Sequence, residues 1–403
     1  MKNVPKLRFS GFSDEWAEKK IGELYDDLKA GSTPSKLKSE YFKGNVPWIT
    51  SGELKSKYIY STLEYITEEA KQSANLKLYD EGTLFIAITG LEAPGTRGSC
   101  AINKVKATTN QSCMAFQKSN LVNNEFTYYW YNLYGEYIGI TYTQGTKQQS
   151  LNNKLVADLK ISIPSIEEQE KIANFLTKVD KLIEKQDEKV NNLEQYKKGM
   201  MQKIFSQEIR FKKDDGGEYP EWDKGKASEL FKNISDKNHN GDLEVLSVTQ
   251  DRGVILRSDL DIDIKFDLES VKNYKRVKPG DFIISLRSFQ GGFELTNIEG
   301  LISPAYTVFN FLDKDKFNAK YFGYIFKSEN FIRKLSGLIY GVRDGKAISF
   351  TDFSTMKFEY PCVEEQTKIA NFLSKIDLIV EKEKEKLEEL REWKKGLLQQ
   401  MFV

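Results

Sequence analysis

One histidine in 403 residues leaves few ways to build an active site. It stands at His239, inside the polar run Asp236 to Gly241, which reads as a surface turn; this excludes histidine-based triads and zinc sites with two or more histidines. The three cysteines, Cys100, Cys113 and Cys362, have no metal-ligand spacing, and an odd count argues against a disulfide framework, so they read as small buried apolar side chains. No apolar run approaches the roughly 18 residues of a membrane span, and the opening MKNVPKLRFSGF has no apolar signal core, so a cytoplasmic location is expected. Charge of one sign is also lacking: 60 Lys plus Arg meet 59 Asp plus Glu, and any surface for a polyanion must be local. There is no phosphate loop, since Gly225-Lys226 and Gly345-Lys346 each lack the upstream glycine and are followed by alanine, and no Gly-x-Gly-x-x-Gly. The pairs Glu167-Glu168 and Glu364-Glu365 stand at helix starts, where capping accounts for them without nuclease chemistry. The chain reads as having no catalysis, no metal and no cofactor of its own.

What the chain has is a duplication. Pro164 to Phe205 returns without a gap as Pro361 to Phe402, with about half the positions identical, and a long-period repeat means two structural units. Shorter echoes precede each copy: Leu7-Arg8-Phe9 and Glu15-Trp16 reappear as Ile209-Arg210-Phe211 and Glu221-Trp222. The predicted organisation is α+β: a globular domain over 1–163, a long helix over 164–206, a second globular domain over 207–360 and a second helix over 361–403. Chain length alone favours two domains.

Each helix start is marked by proline followed within three residues by Glu-Glu-Gln, which sets negative charge on the positive end of the helix dipole. Val179, Ile183, Gln186, Val190, Leu193, Met200 and Ile204 fall on alternating three- and four-residue steps if Lys197 takes one step. Ile376, Val380, Glu383, Leu387, Leu390, Leu397 and Met401 match them, so each helix carries a coiled-coil seam. The simplest pairing is of the two helices with each other, antiparallel, as a rod about 58 Å long with a domain at each end. The highest identity, Glu-Glu-Gln-x-Lys-Ile-Ala-Asn-Phe-Leu, lies before the seam, which suggests two identical partners docking at Glu168, Gln169, Ile172 and Phe175 and at Glu365, Gln366, Ile369 and Phe372.

The globular parts share a fainter frame. Gly82 and Gly280 each open an apolar strand, and Phe126 to Leu133 parallels Phe317 to Phe326 as an aromatic core helix, with Tyr128 set on Tyr321 and Tyr131 on Tyr324. Between these elements the loops diverge and are rich in Arg, Gln, Thr, Ser and Gly, the types that read base edges; ordinary surface loops share that composition. Candidate DNA contacts in the first domain are Thr50, Ser51, Thr89 and Arg97, with Gln144, Thr146, Lys147 and Gln148 in a glycine-centred turn. In the second domain they are Gln250, Arg252, Arg287, Ser288 and Gln290, with Tyr340, Arg343 and Lys346 in the corresponding turn.

Two variable domains, each closed by Pro-x-x-Glu-Glu-Gln-x-Lys-Ile-Ala-Asn-Phe-Leu and a charged helix ending Lys-Lys-Gly-x-x-Gln-x-x-Phe, resemble the DNA specificity (S) subunit of type I restriction-modification systems. Leu7 to Phe12 and Val46 to Leu54 are similar to that family too, and the match spans the chain. The resemblance implies that each domain is a target recognition domain for one half of a bipartite duplex sequence. It also implies that the helices act as spacer and as docks for two modification (methyltransferase) subunits. S-adenosylmethionine, ATP and Mg2+ would reside on those and on restriction subunits. The two domains differ, so the target is expected to be asymmetric, with half-sites about 10 base pairs apart centre to centre. A protein–protein scaffold using the duplicated helices is the competing reading; an enzyme with an unrecognised site fares worst.

Overall fold

The computed structural model describes residues 3–93, 95–143, 149–249, 252–260, 271–285, 292–338 and 348–403. Packing divides the chain partway along each long helix: one unit comprises Met1–Asp187 with Glu385–Val403, the other Glu188–Lys384.

In the first unit, Ala17–Lys20 pairs antiparallel with Lys160–Ile163, Ala17 opposite Ile163, which ties the N-terminal arm to the strand feeding the first long helix. A five-stranded sheet runs in the order Lys29–Ala30, Cys113–Phe116, Leu84–Ala87, Cys100–Asn103, Tyr58–Ile59. Its centre, Leu84–Ala87, is buried along its whole length, as continuous apolar sequence after the Gly82 turn requires; Gly82 has φ +84°, where glycine has no Cβ penalty. Val46–Ile49 lies between Glu64–Ile66 and Thr108–Thr109 in a separate three-stranded sheet. The helix Asn124–Thr141 starts on Asn123, whose side chain accepts from the amides of Glu125 and Phe126, and buries Phe126, Tyr129, Trp130 and Tyr131. Cys100 and Cys113 are buried free thiols of this core, and Cys362 is a partly buried one of the second unit.

The second unit is built alike with other contents. Asp223–Lys226 pairs antiparallel with Lys357–Tyr360, ahead of the second long helix. A four-stranded sheet runs Phe231–Ile234, Thr307–Phe311, Phe282–Ile284, Phe293–Leu295. Its core is phenylalanine: Phe309 and Phe353 lie 4.8 Å apart between centroids, and Phe231 stacks on Phe311 at 4.9 Å. The domain helix begins on Asn318 and is broken, Ala319–Lys327 then Glu329–Leu338, where the first unit has one continuous helix.

The long helices span Ile166–Phe205 and Val363–Met401, and segments of both occur in each unit. In the first unit Asp180 meets Lys394 at 2.6 Å and Asp187 meets Arg391 at 3.2 Å. In the second, Lys189 meets Glu383 at 2.9 Å and Lys197 meets Asp377. One residue number rises as its partner's falls, so the segments run antiparallel, as the matched seams predict. The seam positions Val179, Leu387, Leu397 and Met401 are buried in the first unit, and Val190, Ile204, Ile376 and Val380 in the second. Among the described residues no helix is long and apolar enough to cross a membrane.

Candidate nucleic-acid interface and the repeated clamp

Among the loop residues expected to touch DNA, the structure gives two an internal task. Thr50 caps the short turn Ser51–Glu53: its amide and hydroxyl both donate to Oε2 of Glu53, at 2.7 and 2.9 Å, and Oε1 takes the amide of Leu63 at 2.7 Å. Arg97 donates through Nε to the carbonyl of Leu91 at 2.6 Å and through Nη1 to Glu136 at 3.0 Å. Its stem lies on Gly139, where a Cβ would come within 2.7 Å of Cγ. Both brace the loop on which a base contact would sit, and both keep exposed area. Ser51 is the half-buried first residue of the capped turn, and Thr89 forms a backbone bridge with Ser150. Arg252 lies exposed in the turn between Leu246–Thr249 and Gly253–Leu256, with its amide on Thr249 Oγ1 at 3.0 Å. Gln144, Thr146, Lys147, Gln148, Gln250, Arg287, Ser288, Gln290, Tyr340, Arg343 and Lys346 lie outside the described residues. His239 accepts the Gly241 amide on Nδ1 at 3.1 Å, which leaves Nε2–H to donate to the carbonyl of Tyr274 at 2.9 Å; the ring pins a turn.

The repeated segment at the start of each long helix faces inward. Glu168 is 1% exposed and receives both Nε and Nη2 of Arg8 at 2.8 Å, a two-pronged charge-assisted pair. In the second unit Arg210 grips the wholly buried Glu365, with Nη2 to Oε2 at 2.8 Å. Gln169 donates to the carbonyl of Pro164 at 3.0 Å and accepts the amide of Asn123 at 2.9 Å, while Gln366 does the same with Pro361 at 2.8 Å and Asn318 at 2.8 Å. Each glutamine thus locks the start of the long helix to the cap of the domain helix. Ile172 and Ile369 are buried in the cores. Phe175 and Phe372 are half-buried against Phe9 at 5.6 Å and Phe211 at 5.5 Å.

These contacts correct the docking expectation. The side chains of Glu168, Gln169, Ile172, Glu365, Gln366 and Ile369 are consumed inside their own units, and only Phe175 and Phe372 keep exposed area. Their identity in both copies follows from an internal clamp, in which Arg8 and Arg210 were the unassigned members. The signal was in the sequence: both arginines sit in the Leu/Ile-Arg-Phe echo.

The same contacts reset the register of the aromatic helices. Tyr129 donates to Oδ2 of Asp180 at 2.5 Å, and Tyr324 to Oδ2 of Asp377 at 2.5 Å, so Tyr129, not Tyr131, corresponds to Tyr324, and Phe126, not Tyr128, to Tyr321. Burial and the neighbouring carboxylate hold both phenols well above the ordinary tyrosine range.

The first unit adds a buried lysine that sequence reading passed over. Lys57 donates to Glu125 at 3.1 Å, Tyr129 at 3.0 Å and Thr177 at 2.6 Å. Burial lowers its pKa, and the charge of Glu125 only partly offsets that. It bonds the sheet, the domain helix and the long helix at one point.

A family description, the type I restriction modification DNA specificity domain, matches residues 13–195 and 219–392, which is both halves of the chain. The chain belongs to this family. It is similar along its length to the specificity subunit of the type I restriction enzyme MjaVIII of Methanocaldococcus jannaschii, with 26% identity over 415 residues, 96% of this chain and 91% of that one. A shorter stretch of 178 residues is 30% identical to the EcoR124I/EcoR124II specificity subunit of Escherichia coli, over 44% of this chain and 43% of the relative. Among solved structures, the S subunit of a type I restriction-modification system from M. genitalium superposes with a TM-score of 0.59 at 16% identity, over 99% of each chain. A second, from a type I R-M system, gives 0.57 at 15% over 95% of this chain and 96% of that one. At such identities these two show a shared fold. As a specificity-family member, this chain carries the architecture for recognising DNA sequence, in two matched domains.

Proposed function

We propose that this chain is the non-catalytic reader of a type I restriction-modification complex, taking an asymmetric bipartite duplex target, one half per unit. The observation that carries this reading is one clamp built twice beneath different loops. Arg8–Glu168, Gln169–Asn123 and Tyr129–Asp180 recur as Arg210–Glu365, Gln366–Asn318 and Tyr324–Asp377, whereas the strands and turns above them differ. Two differently faced domains on one mounting are what two unlike half-sites require. Phosphate contacts would position the domains and loop side chains would specify bases.

Two modification subunits dock, in this reading, on the residues that the clamp leaves outside. Asn174, Lys178 and Leu182 follow one another at four-residue steps along one helix face, and all are exposed. Asn371, Lys375 and Ile379 repeat them, exposed, on the second helix. Internal packing does not account for their likeness; a pair of identical partners does. S-adenosylmethionine, ATP and Mg2+ then belong to the modification and restriction subunits, the latter recruited through the former, and the complex works in the cytoplasm where its target is.

The test is genome-wide mapping of N6-methyladenine in a host that holds a modification subunit, with and without this chain. A two-part methylated motif appearing only with the chain is expected. An unchanged methylome, despite a stable complex, would favour a scaffold that binds no DNA.

A further inference from the structure

A cavity of about 700 Å³ lies wholly within the second unit, between the Glu194–Ser206 stretch of the first long helix, the break in the domain helix at Ser328, and Asp377 to Lys384 of the second long helix. That volume is in the range of small-molecule sites, which combine an apolar body with a few placed polar groups. Its floor is apolar, formed by Met201, Phe205 and Val380. The lysines on its rim are neutralised: Lys198 by Glu329 at 2.6 Å, Lys384 by Glu194 at 2.5 Å, Lys197 by Asp377 and Lys327 by Glu294. Arg333 is different. Among the described residues no carboxylate pairs with it within 4 Å: its guanidinium lies a long 3.4 Å from the amide oxygen of Asn330, and it feels the charge of Glu329, one turn earlier, which is itself paired with Lys198.

A side chamber of about 170 Å³ shares Phe205, Ser328 and Asn330 with the main cavity and is lined by Trp222. The indole is 8% exposed and its Nε1 has no hydrogen-bond partner among the described residues. A buried donor without an acceptor costs about 1–3 kcal/mol. Trp16 of the first unit is unpartnered too among the described residues, so the donor makes no site; what the second unit adds is the cavity itself and the cation that lines it. In the register that sets Tyr324 on Tyr129, the rim residues Lys327, Glu329 and Arg333 replace Asn132, Tyr134 and Ile138, so the cation is particular to the second unit.

We propose that this cavity is a binding site for an apolar anion: an aromatic or alicyclic ring system carrying one carboxylate, sulfonate or phosphate. The ring lies on Met201, Phe205 and Val380, and the anion takes the planar fork of Arg333, which suits two-pronged binding of such groups. Occupancy would brace the broken domain helix against both long helices in one unit only, giving the two halves of a duplicated protein different ligand responses. The proposal does not depend on which DNA is read.

The test uses the full chain and the probe 8-anilinonaphthalene-1-sulfonate, followed by its fluorescence and by calorimetry. One saturable site per chain is expected, with binding weakened at least tenfold in Arg333→Gln and abolished in Met201→Trp, which fills the floor. Arg333 is exposed, so its variant keeps the fold and decides the question if the tryptophan variant does not fold. Absence of a one-to-one site, or a site indifferent to Arg333→Gln, would overturn the proposal.

Discussion

The hydroxyl of Tyr129 donates to Oδ2 of Asp180 at 2.5 Å, while Lys394 holds Oδ1 of the same carboxylate at 2.6 Å. Three elements therefore meet at one side chain: the domain helix, the first long helix and the second. Asp377 does the same in the second unit with Tyr324 and Lys197. The long helices carry more than a seam; each unit hangs its recognition domain on an aspartate already fixed by the opposite helix.

Removing one phenol oxygen at this junction leaves the aspartate with fewer partners in a half-buried place. Hydrogen bonds to charged groups are worth about 1.5–3 kcal/mol. Tyr129→Phe and Tyr324→Phe should each destabilise by about that amount. Because each bond lies within one packing unit, hydrogen exchange should rise in the mutated unit's domain helix and stay unchanged in the other. Equal loss of protection in both units would show that the junctions are not independent.

Arg8→Met tests the clamp more severely. It strands the carboxylate of Glu168, which is 1% exposed, and breaking a buried pair from one side costs about 3–5 kcal/mol. Arg8 keeps some contact with water, so the lower end, about 3 kcal/mol, is expected in urea unfolding. The double variant Arg8→Met with Glu168→Leu should recover much of it, since no charge is then left without a partner. A double variant no better than the single would mean that the stem of Arg8, not the pairing, carries the effect.

The helices were legible in the sequence because proline before Glu-Glu-Gln marks a start and apolar spacing marks a seam, and both signals are local. The inward turn of Glu168 and Gln169 was not, since identity between copies is produced equally by a shared interior and by a shared partner; only burial separates the two. Register in the aromatic helix failed for a different reason. A run such as Phe126 to Tyr131 matches its counterpart at several offsets, and the caps Asn123 and Asn318 are what fix it. Thr50 and Arg97 show why base readers resist composition: the residue types that bond to base edges also bond to backbone carbonyls and carboxylates, so composition alone gives both roles the same look.

Acid should act on the first unit through Glu125. Burial alone would raise its pKa, but the hydroxyl of Tyr58 at 2.8 Å and the charge of Lys57 outweigh it, and the carboxyl ends below its ordinary 4.5. A group more acidic in the folded than in the unfolded chain contributes stability above the unfolded value and loses it as pH falls through the folded one. Glu125→Gln should flatten the loss of stability below about pH 4.5. Lys57, lowered from 10.5, acts at the other end with a slope of the same sign: the folded chain releases that proton first, so its titration favours folding as pH rises towards 10.5. Thermal unfolding of wild type and Glu125→Gln across both ranges checks the signs.

Lys178 and Lys375 should decide how many partners the chain holds. Both are exposed, both sit midway in the repeated Asn-x3-Lys-x3-Leu/Ile face, and neither has a role in the clamp that a charge change would disturb. If the partners dock there as proposed, reversing one charge would set a repulsion at the centre of one dock, where a mispaired charge costs several kcal/mol. Lys178→Glu alone should therefore reduce co-purifying modification subunits from two to one, Lys375→Glu alone should do the same, and the pair should leave none, with the melting temperature of the free chain unchanged. Native mass spectrometry reads the count directly. Two partners retained by the double variant would place the dock elsewhere on the helices, and loss of both partners by a single variant would mean that the two docks are coupled rather than repeated.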